Sequence, residues 1–183
     1  MGHTIRRLGL AAACLLGLAM VEGISAGGKV LVKERTPFAG VVYDLDCIPG
    51  LNWCQVLMKK DFIAIVREPR LQRPLEAALA LGSEVTVYHD TDQPKRITRV
   101  VLKRKPPGML KQGLNYVTAL DFDEADGKCK ATFVNEFGKE VNGFTRDIRM
   151  ESILTTALRE ELTIQYLTFD PLTNEITRAK LNK

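Results

Sequence analysis

The sequence predicts a mainly β fold with one helix per module, in the order β-β-β-α-β-β, run through twice. Three observations carry this. First, the second half repeats the first: residues 61–79 align without a gap on residues 140–158, at an offset of 79. Arg67 meets Arg146, Arg70 meets Arg149, Leu75 meets Leu154, Ala78 meets Ala157 and Leu79 meets Leu158. At the same offset Ile97-Thr98-Arg99 falls on Ile176-Thr177-Arg178. Second, short β-branched and aromatic runs bounded by turn residues fill most of each half, the mark of strands. Third, the apolar period changes from two to about 3.6 once per half, which places a single helix in each.

The first module spans residues 36–104. Residues 38–45 (FAGVVYDL), 55–59 and 61–66 (DFIAIV) are its first three strands. Leu71, Leu75, Ala78 and Leu79 then share a helical face. Pro69 suits a first turn, but Pro74 does not suit a helix interior, so regular helix is expected from about Arg73. Gly82 ends it. Residues 84–90 follow, with Val85, Val87 and His89 on one face, and residues 95–103 close the module, with Ile97, Arg99 and Val101 on one side.

Residues 105–114 form the linker, because Pro106-Pro107-Gly108 cannot continue a strand. The second module, residues 115–183, repeats the order. Its strands are 116–122, 130–135, about 139–145, 162–169 and 175–181. Its helix is 148–160, with Met150, Ile153, Leu154, Ala157 and Leu158 inward. Tyr43-Asp44-Leu45-Asp46 reads as the counterpart of Leu120-Asp121-Phe122-Asp123. This order, five strands with the only helix between the third and fourth, resembles the OB-fold in both modules. The resemblance implies two packed small barrels. A single β-rich domain with internal pseudo-symmetry is the competing arrangement.

Residues 1–26 read as a secretory signal peptide. Arg6 and Arg7 precede an apolar run, residues 8–21, and Ile24-Ser25-Ala26 offers a cleavage site. An uncleaved anchor is the alternative, although the run is shorter than the roughly 20 residues a span requires. Cleavage changes the formal charge from +4 to +3 through loss of Arg6, Arg7 and Glu22. The expected location is the bacterial periplasm or the exterior, without stable membrane insertion once the peptide is gone. There Cys47 and Cys54, flanking a Pro49-Gly50 turn, are expected to bond. A bridge closing so small a ring contributes about 2 kcal/mol. Cys129 is left over as a buried free thiol or a reactive one.

No catalytic set emerges. Beyond the expected cleavage site, residues 27–183 contain no Gly-x-Ser-x-Gly elbow, no Cys-x2-Cys pair and no phosphate-binding glycine loop. No cofactor and no metal are expected. His89 reads as a half-exposed structural residue, and the acidic stretch 121–127 as a solvated hairpin turn rather than a calcium loop. Arg67-Glu68-x-Arg70 and Arg146-Asp147-x-Arg149 are the most specific polar feature. They form either paired anion sites or salt bridges holding the strand-to-helix corner. The basic strip Lys95, Arg96, Arg99, Lys103, Arg104, Lys105 reads as a solvated edge strand guarded by charge. Trp53 is either an exposed anchor or a plug of the barrel end. The candidate binding residues are therefore Trp53, Tyr43, Arg67, Arg70, Arg99, Arg146 and Arg149.

The function expected is that of an exported, non-catalytic binding protein of the cell envelope whose partner is an envelope protein. An anionic glycan or peptidoglycan-like polymer held by the arginines is the alternative, and a thiol-dependent enzyme using Cys129 the more remote one. Nucleic acid is not an expected partner.

Overall fold

The order in which strands pair in the first half of the chain recurs in the second. The computed structural model describes residues 35–182, apart from 49, 52, 93, 109 and 110. The expected signal peptide lies outside the described residues. The first half contains β1 (Thr36–Cys47), β2 (Cys54–Met58), β3 (Phe62–Val66), α1 (Pro69–Leu81), β4 (Glu84–His89) and β5 (Ile97–Lys103). The second contains β6 (Asn115–Asp123), β7 (Lys128–Val134), β8 (Glu140–Thr145), α2 (Ile148–Arg159), β9 (Thr163–Phe169) and β10 (Ile176–Asn182). The fold is mainly β with two helices, and its elements fall in the expected order.

Within the first half β1 pairs with β2 and β4, β2 with β3, and β4 with β5, all antiparallel. Within the second, β6 pairs with β7 and β9, β7 with β8, and β9 with β10. In each half the third strand touches the approach to the fifth through one parallel bridge, Ile65 to Arg96 and Phe144 to Glu175. The accompanying hydrogen bonds, Ile65 N to Lys95 O at 2.8 Å and Phe144 N to Asn174 O at 3.2 Å, are also counterparts. These single bridges do not make a ladder, and the sheet stays open.

The sequence offset of 79 holds for β3 and β10, a bulge past Ile164 shifts most of β9 by one, and the first two strands follow a different offset. Cys54 lies opposite Val66, and Cys129 opposite Thr145, so the two cysteines are counterparts. Cys47 lies opposite Cys54, and Phe122 opposite Cys129. The first two strands of each half are therefore related by 75 positions (122 − 47). This corrects by two the alignment of residues 43–46 on 120–123. The β7–β8 hairpin is correspondingly longer than β2–β3.

The two halves share one sheet. β5 pairs antiparallel with β6, from Arg99 opposite Asp123 to Lys103 opposite Ala119. One ten-stranded sheet results, in the order β10-β9-β6-β5-β4-β1-β2-β3, with β7 and β8 branching from β6. Glu34–Lys183 forms one compact unit, and a single apolar core runs through both halves. Leu71 and Leu75 from α1 and Leu154 and Leu158 from α2 are completely buried in it. Each contributes about 1.5–3 kcal/mol of burial energy.

Three local differences from expectation have physical causes. Helix α1 begins at Pro69, not near Arg73, because Glu68 caps it and Pro69 sits in the first turn. Pro74 is inside the helix, where it cannot donate a hydrogen bond, but its ring is buried in the core. A bulge between Ile97 and Arg99 changes which side chains of β5 face inward. Ile97, Val100 and Leu102 are buried, so Arg99 and Val101 do not share the inner face with Ile97.

Candidate functional site

The cationic β5 strip is an interior seam, not an exposed edge. Arg99 donates from Nε to Asp121 Oδ1 at 2.8 Å and from Nη2 to Asp121 Oδ2 at 2.6 Å. This fork raises the Arg99 pKa, chiefly through the Asp121 hydrogen bonds. Arg99 also lies over the Tyr88 ring, 4.7 Å from its centre. Arg96 pairs with Glu124 beside it. Arg35, at the start of the described chain, donates to both carboxylate oxygens of Asp123 at 2.8 and 2.9 Å. Arg104 donates to the Leu158 carbonyl at 2.8 Å and pairs with Glu161. The expected solvated edge is thus overturned: acids of the second half face the cations of the first.

The helices carry a second tie. Arg70 leaves the start of α1 and pairs with Glu151 of α2, a carboxylate with no exposure. It also donates to the Gly127 carbonyl at 2.8 Å. The Glu151 hydrogen bond raises the Arg70 pKa against the opposing cost of burial. Arg73 adds a bond to the Ile148 carbonyl at 3.2 Å.

The acids of the repeated Arg-acid-x-Arg motif cap the helices. Glu68 accepts from the Arg70 N–H at 3.4 Å, and Asp147 from the Arg149 N–H at 2.8 Å. The corner is held by carboxylate-to-backbone caps, with no arginine–acid pair within either motif. Arg67, Arg146 and Arg149 are exposed. Arg146 stands 3.7 Å from Glu175 and packs over Phe144. The seven candidate residues therefore do not converge: Arg70 and Arg99 face inward partners, three arginines sit at helix corners, and Tyr43 and Trp53 lie on the β1–β2 hairpin.

That hairpin is stapled and carries exposed apolar side chains. A disulfide joins Cys47 and Cys54, which face each other at its neck. The turn above it is closed by the Leu51 N–H donating to the Ile48 carbonyl at 3.1 Å. Tyr43, Ile48 and Leu51 expose 52%, 39% and 51% of their surfaces. Trp53 is half-buried at the base of the loop, neither the open anchor nor the sealed plug. Ile48 and Leu51 went unnoticed in the sequence. Their signal was position: apolar residues beside a Pro-Gly turn, where polar ones are usual.

The other chemistry-bearing groups are enclosed. His89 is buried, contrary to expectation; its Nδ1 lies 2.6 Å from the Asp90 carbonyl oxygen and its ring packs against Phe62. Cys129 is a buried free thiol, and burial pushes its pKa well above the usual value. The Glu124–Gly127 segment is a hairpin turn, with Asp126 paired to Lys130 at 2.9 Å. Among the described residues no group of three or more acidic, histidine or cysteine side chains is placed to hold a metal. None of their helices is long and apolar enough to cross a membrane. A shallow groove of about 490 Å³ lies over the β5–β8 face, lined by Lys103, Asp121, Lys130, Asn142, Phe144 and Thr173 among others. No protein family, curated protein or solved structure matches this chain.

Proposed function

We propose that this chain is a non-catalytic binding protein of the bacterial cell envelope, exported behind residues 1–26, which contacts an envelope protein through its β1–β2 hairpin. The observation that carries the reading is the stapled hairpin itself, with Tyr43, Ile48 and Leu51 held out in solvent. Constraint lowers the entropy lost when a loop is ordered on a partner. Apolar groups so presented gain burial energy there. A disulfide also fits an oxidising compartment. The modules are read as OB-like, 36–104 and 115–183 with 105–114 as linker. Support comes from the order of pairings in each half and the parallel bridge from third strand to fifth.

A photo-crosslinking residue at Leu51, used in living cells, tests the contact. One discrete adduct, lost on Trp53→Ala or Tyr43→Ala with the fold intact, is the expected result. Adduct patterns unchanged by either substitution would refute the hairpin as the site. The anionic-polymer reading is weaker, because Arg70 and Arg99 hold internal carboxylates. A thiol-dependent reaction is weaker still, since Cys129 is enclosed and holds its proton.

A further inference from the structure

We propose that copies of this protein join head to tail, β10 of one copy pairing antiparallel with the Asp44–Cys47 stretch of β1 in the next. The template is the seam between the two halves. There β5 lies along the edge of β6 not taken by β7. β10 is the counterpart of β5, and β1 the counterpart of β6. Each retains, among the described strands, the unpaired half of the same joint. β10 pairs only with β9, and residues 44–47 of β1 pair only with β2.

The charges match as well. Arg99 forks onto Asp121 in the seam. Their counterparts are Arg178 and Asp46, both exposed. Val101 lies opposite Asp121, which places Lys180 opposite Asp46; Lys103 lies opposite Ala119, which places Asn182 opposite Asp44. The free edge of β10 thus offers Arg178 and Lys180 to an edge carrying Asp44 and Asp46. Like-charged edges would repel, whereas cross-strand opposite charges stabilise a pairing. Edge lysines often block strand addition, but their counterparts on β5 lie within a paired strand.

One part of the seam has no counterpart between copies. Glu151 corresponds to Gln72, so the buried ion pair with Arg70 is not reproduced by Arg149. The joint between copies is therefore weaker than the joint within one, and assembly depends on concentration. Because the two edges differ, the contact is heterologous and generates open chains or rings rather than a closed dimer. This inference does not rest on the exported-binder reading.

Sedimentation velocity on the purified protein, over a roughly hundred-fold range of concentration, tests it. The expected result is a mean mass that rises with concentration and passes twice the chain mass. Asp46→Lys alone and Arg178→Glu alone should each stay monomeric, while an equal mixture should assemble, the intact β10 edge of the first variant meeting the intact β1 edge of the second. A wild-type protein that stays monomeric throughout, single variants that assemble like wild type, or a mixture that does not assemble would each overturn the proposal. Asp44→Cys copies mixed with Asn182→Cys copies check the register independently. Mild oxidation should link the two kinds of copy at least about tenfold faster than it links either kind to itself, and equal rates would refute the pairing. Trp53→Ala should leave all these results unchanged, which separates this joint from the hairpin contact.

Discussion

Replacing Arg70 by Ala should loosen the whole molecule, and more so than replacing its partner. The Glu151 carboxylate has no exposure, whereas the Arg70 side chain keeps 24%. Removing the guanidinium strands a charge that cannot reach water. Removing the carboxylate leaves a long cation that can turn outward. Breaking a buried pair from one side costs about 3–5 kcal/mol. Arg70→Ala should lie near the top of that range, because the Gly127 carbonyl also loses its donor. Glu151→Ala should lie near the bottom. For a domain of this size about 4 kcal/mol lowers Tm by roughly 8–16 °C. Urea unfolding followed by circular dichroism gives the midpoint and slope for each variant. The combined Arg70→Met, Glu151→Leu variant should recover most of the loss, since a packed apolar pair often matches a buried ion pair. Arg70→Ala within about 1 kcal/mol of wild type, or a combined loss equal to the sum of the single losses, would refute the idea of an essential tie between helices.

Further outcomes follow from other groups. Gly143→Ala places a methyl 2.5 Å from Phe169 Cε1 and 2.9 Å from its Cδ1, so it should cost about 1–3 kcal/mol in the same unfolding assay. Reducing the Cys47–Cys54 bridge should cost about 2 kcal/mol, and thiol counting should find Cys129 unreactive until denaturant is added. Because burial raises the Cys129 pKa, the folded state keeps its proton where the unfolded chain has lost it. Stability should therefore fall above about pH 8.5, by up to about 1.4 kcal/mol per unit, and Cys129→Ala should remove that component of the slope. An identical alkaline slope in that variant would contradict this.

Local structure was highly legible, and the reason is visible in the residues. The runs at 84–90 and 162–169 combine alternation with clear boundaries, and each gave a strand within two residues of its expected limits. Register was harder. Nothing in KRITRVVLK marks the bulge near Thr98, which is set by pairing with β4, and so alternation alone puts the wrong residues on the inward face of β5. The seam was hidden for a related reason. A row of cations looks like a guarded edge unless the acids that meet it, Asp121 and Glu124, are known to lie alongside. Glu151 did carry a signal. It stands three and seven residues before Leu154 and Leu158, on the apolar stripe of α2, and an acid there requires a buried cation. The sequence did not say that the cation would come from the other helix.

The shift in offset between early and late strands also says where this architecture accepts change. The β7–β8 turn has absorbed four residues relative to its twin, two for each arm, and Phe137 near its tip is 83% exposed. An even share on each arm leaves every neighbouring side chain pointing as before. An engineer seeking to splice a tag or reporter into this protein should therefore open it at that tip, adding residues in matched pairs.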